Sequence, residues 1–179
     1  MRILVISDTH GEMDNVKALM ERLEEIRPDY LIHLGDDYHD IDRVVEKGFK
    51  VIRVPGVYEG LYGDLDIPHR LILEVEGWRV LISHTEKSHK NDLPIDLKPE
   101  EIVESGLVDV FMHGHTHVPR AERKNKLIFI NPGHLKKEDK KGYPPTFALI
   151  DFSPEKLSIR IIRLDTGEEI LAKDFPKAR

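Results

Sequence analysis

A chain of 179 residues builds one domain, expected to span 1–179, and its lack of cysteine excludes disulfides, thiolate zinc sites and a cysteine nucleophile. The net charge of −6 argues against non-specific nucleic-acid binding, which draws on basic surface. No apolar run approaches the roughly 18 residues of a membrane span, and MRILVIS is too short for a secretory signal, so a cytoplasmic protein is expected.

RILVIS at 2–7 is an apolar, β-branched run bounded by Asp8, Thr9, His10 and Gly11, which predicts a buried strand entering a loop. In DNVKALMERLEEI, Asp14 is placed to cap a helix, Val16, Leu19, Met20, Leu23 and Ile26 share a face, and Pro28 ends it. YLIHL at 30–34 predicts a second strand before Gly35, Asp36 and Asp37. A helix over 40–47 stops at Gly48, and KVIRV at 50–54 predicts a third strand before Pro55 and Gly56. Strands alternating with helices imply βαβ units with parallel strands. Further on, RLILEV (70–75) and RVLIS (79–83) predict a hairpin at Gly77, and a helix at 99–105 precedes a strand at 108–112. Residues 120–131 read as a hairpin turning at Asn125 and Lys126. Strands at 146–152 and 157–164 pair, and Asp165, Thr166 and Gly167 turn into a last strand. The pattern predicts an α/β fold of two packed sheets with helices outside.

Five strands end in polar loops, at Asp8, Asp36, Gly56, His84 and His115. In open α/β sheets, ligands bind outside the carboxyl ends of strands. Asp8 and His10, if extended, point to the same side. The Asp36 carboxylate has enough lone pairs to bridge two ions. His115 and His117 repeat the two-residue spacing, and His84 adds a fourth imidazole. Two carboxylates with four imidazoles suit manganese, iron, nickel, cobalt or zinc better than calcium. Each short motif alone is ordinary loop chemistry. HGHTH is less ordinary, because imidazoles concentrated after an apolar strand are costly to place unless they bind something. Of the remaining histidines, His33 reads as a packed strand residue and His39, His69 and His89 as loop residues. His113 is expected to orient a ligand or pack, and His134 follows a loop placed to face the site.

SDTHG (7–11), LGD (34–36), VPG (54–56), ISH (82–84), HGHTHVP (113–119), INPG (130–133) and FALID (147–151) occur in that order. This series resembles the calcineurin-like metallophosphoesterase superfamily, within it the small phosphodiesterase branch of bacteria and archaea. The resemblance implies a four-layer α/β/β/α sandwich of two mixed β-sheets flanked by helices. It implies that Asp8, His10, Asp36 and His117 hold one divalent metal, and that Asp36 bridges to a second held by His84 and His115. Manganese is the first expectation, with nickel, zinc, iron, cobalt or magnesium as alternatives. The implied reaction is hydrolysis of a small phosphodiester or phosphomonoester by a metal-bound hydroxide at the dinuclear site. His115, His117 and Tyr58 are the candidates to assist the leaving group.

The chain departs from the family at three positions. Val57 stands where the family places a metal-binding Asn, and Tyr58 where the protein phosphatases of the superfamily carry an acid histidine. Thr85 follows His84 where the family prefers Gly. Glu59, or a water, is the expected substitute ligand at the second metal. A scaffold acting through protein contacts is the rival, since a eukaryotic retromer subunit of the superfamily works mainly that way. The retained acids and imidazoles favour catalysis. Small relatives are often dimers, which leaves a homodimer open. The segments 57–69 and 85–98 follow ligand-bearing strand ends and are expected to shape the mouth of the site.

Overall fold

The computed structural model describes residues 1–178. β1 (Arg2–Ile6) shows how the sequence builds the layers. Side chains alternate across a strand, so Ile3 and Val5 face one way and Leu4 and Ile6 the other. All four are buried, so the strand needs apolar cover on both sides. Leu4 and Ile6 meet Leu19 and Leu23 of α1 (Met13–Ile26) and Val44 of α2 (Asp42–Glu46). Ile3 and Val5 meet residues of a second sheet, among them Val80, Ile82, Val110 and Ile130.

The first sheet comprises β1, β2 (Tyr30–His33), β3 (Val51–Arg53), β9 (Thr146–Phe152), β10 (Lys156–Arg163) and β11 (Glu169–Pro176), in the order β11-β10-β9-β1-β2-β3. The second comprises β4 (Arg70–Val75), β5 (Trp78–Ser83), β6 (Val110–His113), β7 (Arg120–Lys124) and β8 (Leu127–Asn131), in the order β4-β5-β6-β8-β7. β1, β2 and β3 run parallel, as do β5, β6 and β8, while the other pairings are antiparallel. The outer face of the second sheet packs Leu81 and Phe111 against Ile102 of α3 (Pro99–Glu104). The expected four-layer sandwich of two mixed sheets is therefore present. Trp78 joins the sheets, its indole N–H donating to the Ser153 carbonyl at 2.7 Å. Among the described residues, no helix is long and apolar enough to cross a membrane.

Local expectations changed in three places. Glu12, not Asp14, precedes α1, and no side chain caps the helix; Asp14 lies in the first turn, where its charge suits the helix dipole. Before Pro28, the helix ends on left-handed Arg27, whose N–H bonds the Leu23 carbonyl at 2.9 Å. The helix expected at 40–47 is a 3₁₀ turn (Tyr38–Ile41) followed by α2. The 120–131 hairpin forms, but β8 enters the sheet between β6 and β7, parallel to β6.

His33 on β2 is fully buried, and among the described residues neither ring nitrogen has a hydrogen-bond partner. Burial holds its pKa down at about 3, below an ordinary value of 6.5. A lowered value on a base means the unfolded chain binds more protons, so stability falls as pH drops through 6.5 toward 3. Between pH 7 and pH 5 this ring is expected to cost metal-free protein about 2 kcal/mol. His33→Leu should flatten the pH dependence by that amount, read from urea midpoints in EDTA. An unchanged slope would contradict the assignment.

Candidate metal centre

The carboxyl ends of β1, β2, β5 and β6 meet at one edge of the sandwich. Five of the residues that leave them have left-handed backbone: Asp8 (φ 56°), His10 (φ 50°), Asp36 (φ 62°), His115 (φ 64°) and His117 (φ 59°). Such conformations cost non-glycine residues roughly 1–3 kcal/mol each and persist only where surrounding structure enforces them. Asp8 and His10 are therefore not brought together by an extended pleat, as the spacing suggested, but by a tight turn. Asp40 holds that turn, accepting the Thr9 hydroxyl at 2.7 Å and the Gly11 N–H at 2.8 Å. Asn131, from the INPG segment, holds the HGHTH turn. Its amide donates to the Gly114 carbonyl at 2.9 Å and the Thr116 hydroxyl at 3.0 Å, and its oxygen accepts the Gly133 N–H at 2.9 Å.

Asp8, His10, Asp36 and His117 each direct one donor atom into a common space, all within 4.8 Å of one another. His117 Nε2 lies 3.2 Å from Asp8 Oδ1, and His10 Nε2 lies 3.5 Å from Asp36 Oδ2. The two Nε2 atoms of His10 and His117 face each other at 3.1 Å. Beside this group, His84 Nε2 lies 3.4 Å from the other Asp36 oxygen, Oδ1, and 3.1 Å from His115 Nδ1. His84 Nδ1 donates to the Leu34 carbonyl at 2.8 Å, which leaves its Nε2 lone pair facing Asp36. The His115 backbone N–H donates to Asp8 Oδ2 at 3.0 Å, coupling the two groups.

Burial raises the Asp8 carboxyl, but the imidazoles of His117 and His84 outweigh it and hold Asp8 far below the ordinary carboxylate range. For Asp36 the balance reverses: burial, reinforced by Asp8 and opposed by His84, pushes it up to about 6. The neighbouring Asp8, against burial, and Asp139 raise His117. Burial lowers His10 and His115, keeping their rings neutral and able to donate lone pairs. Two carboxylates, imidazole nitrogens that face one another and, among the described residues, a buried Asp8 Oδ1 in no hydrogen bond fit a divalent cation. These residues supply no soft thiolate donor.

A second supporting residue, besides Asp40, was not legible beforehand. Asp139 Oδ1 lies 2.7 Å from His117 Nδ1 and so turns Nε2 toward the cluster. Burial opposes ionisation of Asp139, but His117 and the Lys141 N–H prevail and hold its carboxyl at about 2. Asp139→Asn is expected to weaken metal affinity about 10- to 100-fold, measured by competition with a metallochromic chelator. An unchanged affinity would show that His117 needs no orienting partner.

The other predicted residues divide. His134 is buried with its ring centroid 5.2 Å from that of His117, but its own nitrogens meet the Lys136 N–H and the Tyr143 carbonyl, so it packs behind the donor set. His113 likewise packs, buried beside Asn131. His39 is an exposed partner of Asp42, as a loop residue would be. His69 is not: it is buried, bonded to Asp96 at 2.7 Å and stacked on Tyr62 at 3.7 Å. Tyr58 is exposed, with its ring 6.4 Å from that of His115. Val57 is buried. Glu59 lies close enough to act on Asp36, yet both its oxygens are taken: Oε1 accepts the Gly56 N–H at 2.5 Å and Oε2 the Tyr38 N–H at 2.9 Å. In this structure Glu59 closes its own loop, because two backbone donors without other partners outcompete an approach to the cluster.

The sequence model of the calcineurin-like phosphoesterase superfamily domain matches residues 1–155. The chain therefore belongs to the calcineurin-like phosphoesterase superfamily, a divalent-metal-dependent family. Among relatives, it is 24% identical over 172 residues to phosphodiesterase YfcE of Escherichia coli, covering 84% of this chain and 88% of that one. It is 26% identical over 186 residues to a phosphodiesterase of Methanocaldococcus jannaschii, covering 92% and 100%. The fold is shared with vacuolar protein sorting 29 from Cryptosporidium parvum, with a TM-score of 0.75, 20% identity and 98% of each chain covered.

Proposed function

We propose that this chain is a phosphodiesterase that hydrolyses a small phosphoester at a dinuclear metal site. The carrying observation is the division of one carboxylate. Asp36 Oδ2 faces His10 at 3.5 Å in the first group, and Oδ1 faces His84 at 3.4 Å in the second. That is the arrangement a bridging ligand requires. Asp8, His10, Asp36 and His117 would hold one ion, and Asp36, His84 and His115 the other, with manganese the first choice. Divalent ions held there would polarise the phosphoryl oxygens and supply a nucleophile from water near neutral pH. The protein's own part is orientation. The Leu34 carbonyl aims His84 and Asp139 aims His117, so neither ring turns away. His117 has both nitrogens engaged, so its role is ligation and not proton transfer. Tyr58, exposed beside His115, remains the candidate at the leaving-group side.

Glu59 is committed to two backbone hydrogen bonds that hold its own loop, so we assign the position lost at Val57 to water. Manganese-dependent hydrolysis of a chromogenic phosphodiester tests the activity. Metal analysis should find two equivalents per chain, retained in Glu59→Ala; a fall to one would restore Glu59 as a ligand. The buried apolar Val57 favours the rival scaffold role, and no hydrolysis with any transition metal would support it.

A further inference from the structure

We propose that Tyr58 and His89 form a subsite for the organic group of the substrate, and that this group is a planar aromatic ring carried close to the phosphate. The inference rests on the phosphoesterase reading and adds the class of ester.

Tyr58 is 69% exposed, and its ring stands edge-to-face with His89, centroids 5.2 Å apart and planes at 84°. The Tyr58 and His89 rings each lie 6.4 Å from His115. His115 belongs to the second donor group, so both rings border the space next to the metal cluster. They come from different loops, Tyr58 after β3 and His89 after β5.

Those loops are joined to each other. Asn91 Nδ2 donates to the Val57 carbonyl at 2.8 Å, and the Tyr62 hydroxyl donates to Asp92 Oδ1 at 2.7 Å. Asp92 Oδ2 accepts the His89 backbone N–H at 2.9 Å and Arg70 Nη2 at 2.7 Å. The Arg70 side chain is only 2% exposed. His89 Nδ1 accepts the Asn91 N–H at 3.3 Å, which leaves Nε2 as the ring's N–H donor. Glu59 fixes the other side of the Tyr58 loop through Gly56 and Tyr38.

A buried ionic network thus anchors the loops that carry two rings at the rim. An exposed single aromatic is unremarkable on a protein surface. An exposed Tyr58 and a half-buried His89 from separate loops, stapled together beside the donor cluster, are preorganised, and a ligand ring settling on them loses little freedom by ordering them. A planar group also gains edge or face contacts that an alkyl group lacks. His89 adds an N–H donor at the same edge.

The test uses phenylphosphonate and methylphosphonate, which share the phosphonate and differ in the ring, titrated calorimetrically into manganese-loaded protein. The parent should bind the phenyl compound more tightly. Tyr58→Ala and His89→Ala should each weaken phenylphosphonate about fivefold and leave methylphosphonate within about twofold. Asp92→Ala should produce part of the same selective loss, because it releases the His89 backbone N–H. Manganese stoichiometry should not change in any of them. An unchanged phenyl-to-methyl ratio in both alanine variants would overturn the subsite while leaving the phosphoesterase reading intact. Equal losses for both compounds would overturn it too, by assigning the residues to the phosphate. If the parent binds neither compound, this inference is overturned, and hydrolysis of the chromogenic phosphodiester decides separately whether the phosphoesterase reading stands.

Discussion

Asp36→Asn is expected to reduce manganese-dependent phosphodiester hydrolysis by roughly a thousandfold or more, the equivalent of several kcal/mol of lost charge stabilisation. Asn keeps the size of Asp and one of its oxygens. It replaces the other with an NH₂ group that donates and cannot ligate, and it removes the charge. Either orientation of the amide removes one of the two carboxylate oxygens that face His10 and His84. Metal stoichiometry should fall below two in parallel. The folding effect should have the opposite sign. Burial, with Asp8 against His84, raises the Asp36 carboxyl to about 6 from an ordinary 3.8. A raised acid means the native state holds a proton that the unfolded chain releases across that window. Stability is therefore lost as pH rises through it. In EDTA at pH 7, the Asn variant should be more stable than its parent by urea unfolding. A residue kept at a cost to folding is kept for what it binds. Near-parental activity in the Asn variant would remove the bridging carboxylate from the mechanism.

Gly56→Ala should damage the same site by a different route. A Cβ on Gly56 would stand 1.9 Å from Asp36 Oδ1 and 2.7 and 2.8 Å from the Asp36 N and Cα. The side chain alone cannot yield, because the backbone contacts are also too close. That backbone is held in turn: Asp36 is left-handed, and the Gly35 carbonyl accepts the Asp8 N–H at 2.8 Å. The loop carrying Gly56 must move, and Glu59 grips it through the Gly56 N–H itself. The expected cost is about 1–3 kcal/mol in urea unfolding, accompanied by loss of the second metal equivalent and of activity. Gly60→Ala is the control, since a Cβ there meets nothing within 4 Å. Equal behaviour of the two variants would mean that close approach to Asp36 is not why position 56 is a glycine.

Much of the site was legible in the sequence because acids and imidazoles follow apolar runs at Asp8, Asp36, His84 and HGHTH. The departure at Val57 was equally legible, since an aliphatic side chain has no donor atom anywhere. How these side chains converge was not. The two-residue spacing of Asp8 and His10 suggested a pleat, whereas left-handed turns held by Asp40 bring them together. Asp139 lies 22 residues from His117 in an unremarkable lysine-rich loop, and nothing local marks it as an orienting carboxylate. His69 and His89 looked alike as loop histidines. One is buried under Tyr62 and the other stands at the rim, a difference set by partners at Asp96 and Tyr58.

By itself, the sequence determined the order of strands and helices, roughly where the strands lie, and which residues carry donor atoms able to ligate a metal. Those properties reside in side-chain periodicity, turn chemistry and donor atoms, all of which are local. The tertiary structure decided that β8 inserts between β6 and β7, that β9 closes on β1, and that the two sheets abut so that Asp36 faces His10 on one side and His84 on the other. Those arrangements depend on contacts between distant segments, chosen by how buried faces pack, and no short stretch of the chain contains them.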